Sequence, residues 1–289
     1  MRLIKMTGGL GNQMFIYAFY MQMKHRFPAT RIDLSDMVHY RVHNGYELHR
    51  IFDLPEDEFC MNQAAKKAVE FLFFKTILER KQDLTTLRAF ERRRVWPLIY
   101  FKGFYQSERY FAGIADEVRR AFTFDESKAS GRTRQMAATI AADASAVSLH
   151  VRRGDYLNPG TWRTTGCICS LDYFRDAVAA LRKRVATPHY YVFSDDIAWA
   201  AEHLPLENAV FINWNHGADS WQDMMLMSRC RHHIICNSTF SWWGAWLDPN
   251  PGKVVVAPAR WSTVSEQPYI CPADWLLIPV TIPDNPVQP

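Results

Sequence analysis

The chain of 289 residues lacks any uninterrupted apolar run of about 18 residues, so nothing in it reads as a membrane-spanning helix. Met1 to Leu10 has neither a long apolar core nor a cleavage site, so no signal peptide is expected. The six cysteines (Cys60, Cys167, Cys169, Cys230, Cys236, Cys271) form no C-x-x-C pair, and no histidine accompanies them at zinc-site spacing. Cys167 and Cys169 are too close for an ordinary disulfide, and Cys230 and Cys236 lie in apolar surroundings and read as small core residues. A reducing, cytoplasmic compartment fits this usage. There is no P-loop and no G-x-S-x-G elbow, which removes the commonest nucleotide-hydrolase and serine-hydrolase signatures. Internal repeats are also absent, and the one compositionally biased stretch is a Pro-rich tail over 279–289.

A large charge excess is missing too. The formal net charge is +4, too mild for a nucleic-acid partner. From Lys66 to Lys102, however, ten Lys or Arg face four acids, next to Phe71, Leu72, Phe73 and Phe74. A solvated helical face accounts for such a stretch, and so does peripheral contact with anionic lipid at the cytoplasmic face of an inner membrane.

What is present is ordinary globular composition, 48% hydrophobic and 22% charged, in a length that suggests about two domains. Arg2 to Met6 reads as a strand, Asn12 to Phe27 as a helix with Phe15, Ala18, Phe19 and Gln22 at helical spacing, and Arg31 to Leu34 as a second strand. Helical periodicity also marks Ala64 to Arg80, Arg109 to Phe122 and Thr133 to Asp143. Small polar residues from Ala141 to Ser145 suggest a junction, giving an α/β domain over 1–143 and another over 144–289. In the second, strands at Val147 to Val151, Tyr190 to Phe193, Ala209 to Ile212, His233 to Cys236 and Lys253 to Ala257 alternate with helices at Leu171 to Val185, Ile197 to His203, Ser220 to Ser228 and Ser241 to Trp246. Such alternation argues parallel sheets, with ligands beyond the carboxyl ends of the strands and a cleft between the two domains as the natural nucleotide site.

Four segments carry chemistry. Gly8-Gly9-Leu10-Gly11-Asn12-Gln13 places glycines at a strand-to-helix turn, where backbone N–H groups can approach a phosphate. Gly9, Gly11 and Asp33 keep a dinucleotide-binding oxidoreductase open, although Met14 replaces the third glycine of that fingerprint. His150-Val151-Arg152-Arg153-Gly154-Asp155-Tyr156 leaves a strand with two arginines, a pattern suited to gripping phosphate, and Asp155 can orient an arginine. Phe193-Ser194-Asp195-Asp196 offers a carboxylate to a guanine or a ribose, or else Ser194 or Asp195 caps the helix at Ile197. In Cys236 to Trp246, Ser238, Thr239 and nearby amides can hydrogen-bond a diphosphate at a positive helix end, whereas Trp243 and Trp246 read as core.

Together the segments GGLGNQMFIYAF, HVRRGDY and CNSTFSWWGAWL resemble, in order, the signatures of the α-1,2-fucosyltransferases of glycosyltransferase family 11, with weaker echoes in Phe104 to Glu108 and in FSDD. The resemblance implies a GT-B-like fold of two Rossmann-like domains facing a central cleft. It implies inverting transfer of L-fucose from GDP-fucose to the 2-hydroxyl of a terminal galactoside, without a metal. The absence of any D-x-D triplet fits that implication. On this resemblance His150, Arg152 and Asp155 form the catalytic diphosphate clamp. Asp195, Asn237, Ser238 and Thr239 join them at the donor, and Gly9, Asn12 and Gln13 match the glycine loop. Cys236 departs from the pattern, which has a small residue such as Ala there. His150 and Asp155 are also the candidate general bases, and Trp96, Tyr100, Phe104 and Tyr105 are candidate platforms for an acceptor sugar. The acceptor class implied is a galactose-terminated glycan, lipid-linked if the enzyme serves surface-polysaccharide (O-antigen) assembly. Other regiochemistry on GDP-fucose, and a non-catalytic sugar-nucleotide-binding protein, remain as alternatives.

Overall fold

The computed structural model describes residues 2–38, 40, 43–55, 58–62, 64, 67, 75–78, 99–204, 206–264 and 269–282. The chain divides into two compact units, Met1–Phe124 with Pro268–Pro272, and Asp125–Gln267 with Ala273–Pro289. The division therefore falls earlier than 143/144. The reason is packing: the helix Gly131–Ala142 buries Thr133, Ala137 and Ile140 within the second unit, where Ser130 N donates to Gln222 Oε1 at 2.9 Å.

The first unit is a parallel sheet of strands β1 (Arg2–Lys5), β2 (Thr30–Asp33), β3 (Glu58–Phe59), β4 (Lys75–Leu78) and β5 (Ile99–Lys102), in the order β3-β2-β1-β5-β4. The helix Leu10–Arg26 is apolar almost all round, with Met14, Phe15, Ile16, Ala18 and Phe19 fully buried. A helix of that kind is a core element rather than a surface one. The helical period over Ala64 to Arg80 does not survive at its end: Lys75–Leu78 pairs with β5 instead. Most of that basic stretch lies outside the described residues. The continuous helix anticipated over Arg109 to Phe122 is two 3₁₀ turns followed by Ala115–Ala121.

The second unit is a six-stranded parallel sheet. Its strands are β6 (Ala146–Val151), β7 (His189–Ser194), β8 (Ala209–Ile212), β9 (His232–Ile234), β10 (Val255–Pro258) and β11 (Leu276–Ile278), in the order β11-β10-β9-β6-β7-β8. This is the doubly wound order in which the chain moves outward from β6 in one direction and then returns to build from β9 in the other. β6 is buried along its whole length, as a central parallel strand must be with both faces covered. The helix Thr239–Leu247 buries Trp242, Trp243 and Trp246 against one another, so Trp243 and Trp246 are core as anticipated and Trp242 joins them. Gly244 is required there, because a Cβ would come within 2.8 Å of Met227 Cβ on the helix Trp221–Arg229. β11 went unread in the sequence, where β10 stood as the last strand. Two parallel Rossmann-like units make this the α/β, GT-B-like class.

Candidate active site

In the second unit, β6 and β9 are neighbours whose connections run in opposite directions, which opens a crevice at their carboxyl ends. Open α/β sheets bind ligands at such a switch point. His150 and Arg152 leave β6 there, Asn237, Ser238 and Thr239 follow β9, and Asp195 and Asp196 follow the adjacent β7. With Asp155 on the turn that follows β6, the structure therefore brings the seven sequence-selected residues of this unit to one end of one sheet, with Asp196 beside them.

Arg152 is held on two sides. Its Nε donates to Asp155 Oδ1 at 2.9 Å, its Nη2 lies 2.6 Å from the same oxygen, and its Nη1 lies 2.9 Å from Asp195 Oδ2. A guanidinium has five N–H donors in a planar fork. Three face the two carboxylates, which leaves one on each Nη for a further oxygen ligand. Burial works against the cation, but the charges of Asp195 and Asp155 outweigh it and raise the Arg152 pKa. Asp155 thus orients an arginine as anticipated. Asp195 does something the sequence did not show. It braces Arg152 and accepts from Arg153 N at 2.8 Å, while the helix Ile197–His203 is capped by Asp196, whose Oδ1 accepts from Trp199 N at 3.2 Å. Neither Ser194 nor Asp195 supplies that cap. Arg153 donates from Nε to Asp196 Oδ2 at 3.1 Å and lies over the Trp199 ring at 3.9 Å, so it supports the turn. Gly154 is needed because a Cβ would lie 2.5 Å from Asp195 Oδ2.

His150 is 6% exposed, and burial, with Arg152 nearby, lowers its pKa to about 3. Its Nδ1 lies 3.3 Å from the buried Cys236 Sγ. Burial therefore favours the neutral imidazole, and the Asp155 carboxylate is engaged by Arg152. Ser238 caps the helix Thr239–Leu247 by accepting from Phe240 N at 3.3 Å. Asn237 directs its side-chain amide nitrogen to Thr165 O (2.9 Å) and Trp261 O (3.0 Å), and its backbone carbonyl accepts from Tyr156 Oη at 2.9 Å. It ties three loops together around the helix start. Thr239 lies half-buried in the first turn. The adjacent His232 and His233 differ as strand neighbours should. His233 is fully buried between Ser148 Oγ (2.8 Å, to Nδ1) and Asp248 Oδ2 (3.1 Å, to Nε2), a structural network in the interior.

In the first unit the glycine loop leaves β1 between β2 and β5. Gly8 adopts φ +84°, and the ring of His43 packs where a Cβ on Gly9 would point, 3.2 Å from its nearest atom. Asn12 Oδ1 accepts from Gln106 Nε2 at 2.7 Å. Gln13 is fully buried. It donates to Gly8 O (2.9 Å) and Gly45 O (2.7 Å) and accepts from Glu47 N (2.9 Å), so its whole amide holds backbone. Asp33 is buried, with Tyr100 Oη on Oδ2 at 2.6 Å and Ser35 N on Oδ1 at 2.9 Å. It is a brace inside the sheet rather than a ribose ligand, which removes the main support for the oxidoreductase alternative. Of the aromatic platforms, Tyr100 and Tyr105 are buried, the latter stacked on Phe19 with centroids 3.8 Å apart, while Phe104 is 43% exposed. Trp96 lies outside the described residues. Among the described residues, no group of three or more His, Cys, Asp or Glu is placed to share a metal ion, and no helix is long and apolar enough to cross a membrane.

Residues 3–267 match the sequence profile described as Glycosyl transferase family 11. The chain belongs to glycosyl transferase family 11. This glycosyltransferase is 30% identical over 292 residues to an α-1,2-colitosyltransferase of Escherichia coli, covering 95% of the chain and 97% of that relative. It is 27% identical to the O-antigen biosynthesis glycosyltransferase WbnK of E. coli, covering 94% of the chain and 98% of WbnK. It is also 28% identical to galactoside α-(1,2)-fucosyltransferase 1 of Saimiri boliviensis boliviensis, over 52% of the chain and 43% of that protein. The glycosyltransferase shares its fold with the α-1,6-fucosyltransferase NodZ co-crystallised with GDP, at a TM-score of 0.51 and 15% identity over 84% of the chain and 91% of NodZ.

Proposed function

We propose that the enzyme transfers L-fucose from GDP-fucose to the 2-hydroxyl of a terminal β-galactoside, with inversion at the anomeric carbon and no metal. The observation that carries this reading is the Arg152 guanidinium, locked by Asp155 and Asp195 with an N–H left over on each Nη. Departure of GDP leaves growing negative charge on the β-phosphate while the anomeric carbon becomes oxocarbenium-like. The two remaining N–H groups fit one phosphate oxygen as a fork. The amides at the start of the helix Thr239–Leu247, held in place by Ser238 and Asn237, add positive potential at the same end of the sheet. A cation fixed in advance stabilises that charge without rearranging during the reaction. His150 contributes as a neutral hydrogen-bond donor. The acceptor proton leaves late through a loose transition state that needs no strong base. The first unit, with Gly9, Asn12 and the exposed Phe104, serves the acceptor side.

The α-1,2 linkage draws support from the relatives' names, and a surface-polysaccharide acceptor such as lipid-linked O-antigen from that of WbnK. In this reading the enzyme works in the cytoplasm at the inner face of the membrane. The colitosyl relative favours a second donor, GDP-colitose, through the same clamp. The test is transfer from each GDP-sugar to a panel of β-galactosides in EDTA, with linkage and anomeric configuration read by NMR. An α-1,2-fucoside supports the reading. Transfer of colitose alone reassigns the donor, and another linkage or a metal requirement overturns the proposal on that point.

A further inference from the structure

We propose that Cys236 is a positioning residue, its buried thiol donating to His150 Nδ1 and fixing the imidazole in the tautomer that offers Nε2–H to the sugar-nucleotide donor. The inference rests on the reading of this crevice as a GDP-sugar site.

The two side chains are 1% and 6% exposed, with Sγ and Nδ1 3.3 Å apart. Ser241 Oγ lies on the sulfur at 3.9 Å. The pair is neutral. Burial pushes the Cys236 thiol up to about 12, and burial together with Arg152 holds His150 down to about 3. A neutral imidazole has one N–H and one bare nitrogen, and the bond made by one nitrogen decides the state of the other. The thiol has one proton to give, and Nδ1 at 3.3 Å is a nearer acceptor than Ser241 Oγ at 3.9 Å, whose own proton goes to Ser238 O; with the S–H on Nδ1, the imidazole proton is on Nε2. Among the described residues, the hydrogen bond to Cys236 is the one that the His150 ring makes, which leaves Nε2 unengaged. His150 leaves β6 at the switch point two residues before Arg152, whose charge acts on the imidazole, so the ring stands beside the clamp. The Phe240 ring, 5.8 Å from the imidazole, limits its rotation from the side of the helix start.

The test uses full-length protein with ¹⁵N-labelled histidine and long-range ¹H–¹⁵N spectra, with the His150 signals assigned by their loss in His150→Gln. The expected result for the wild type is a pyridine-like Nδ1 and a pyrrole-like Nε2. Cys236→Ala should mix the two signatures and lower kcat/KM for the GDP-sugar roughly three- to tenfold, the worth of one ordinary hydrogen bond. The acceptor KM should stay in place. Cys236→Ser puts a hydroxyl donor at the same site and should restore the pattern and most of the loss. A protonated Nδ1 in the wild type overturns the proposal. So does a Cys236→Ala variant with unchanged spectrum and kcat/KM, or a serine variant as impaired as the alanine one. If the enzyme proves to use no GDP-sugar, the spectra still report the tautomer, so failure of the lock and failure of the functional reading are separable.

Discussion

At the carboxyl end of β1 the loop from Gly8 to Gln13 is built from backbone and neutral amides, each held by another neutral group. At the carboxyl end of β6, two arginines and three carboxylates are set within one turn and its neighbour. Both are switch points of parallel sheets, yet one controls shape and the other controls charge. Gln13 uses every polar atom of its amide on backbone, so the first loop is finished before any ligand arrives. Arg152 still has donors to give after Asp155 and Asp195 are satisfied. The difference explains how a phosphate-handling site can be rigid and yet unsaturated: the carboxylates fix the cation's position without using all of its edges.

The sharpest way to break this contrast is Arg152→Ala. It should lower kcat/KM for the GDP-sugar by about 10²–10³-fold or more, as loss of a preorganised charge partner does. Arg152→Lys should recover little, because a lysine cannot make the bidentate fork. Steady-state kinetics beside GDP-binding calorimetry checks both. Gly154→Ala comes next: the new methyl displaces the Asp195 carboxylate, freeing one side of Arg152, and about a tenfold loss in kcat/KM is expected from the misplaced cation. In the first unit, Gln13→Ala should act chiefly on stability. It strands the buried Glu47 N–H and costs about 1–3 kcal/mol in denaturant melts. A turnover loss per folded molecule as large as that of Gly154→Ala would erase the distinction between a shape loop and a charge loop.

The smallest effect sharpens the comparison within the second unit. Asp223 is met by the Asn215 amide (2.7 Å) rather than by a guanidinium, and burial pushes its pKa up to about 7. The folded state therefore keeps a proton that the unfolded chain, with an ordinary aspartate, has released above pH 4. Stability from this group is full below that pH and is lost progressively as the pH rises to about 7. Asp223→Asn should remove that slope and gain on the order of 1 kcal/mol at pH 8 by thermal or chemical melts, the residue's partial exposure limiting the effect. A steeper slope in the variant would refute the assignment.

Those sites also show where sequence was informative. Arg152 and Asp155 are three residues apart on one turn, so their pairing was legible. The second brace, Asp195, comes from a strand that becomes a neighbour only in the sheet, and no local pattern reveals it. Asp196 displaced both anticipated caps because the choice among adjacent side-chain oxygens depends on backbone angles. The core aromatics of the helix Thr239–Leu247 were legible from their spacing. Tyr100 and Tyr105 were not, because an aromatic beside a glycine loop looks alike whether it stacks on Phe19, as Tyr105 does, or lies open, as Phe104 does. Strand β4 was hidden by helical periodicity, and its pairing with β5 decided the outcome.

The return of Pro268–Pro272 to the first unit has a practical consequence. Ser107 Oγ donates to Tyr269 O at 2.5 Å, and the Arg109 guanidinium covers the Tyr269 ring at 3.7 Å. The polypeptide therefore passes between the units three times, with β11 placed after the last passage. A chimera that exchanged donor specificity by splicing everything after Phe124 would import a foreign Tyr269 beneath a native Arg109, so recombination between relatives must keep these five residues with the amino-terminal parent.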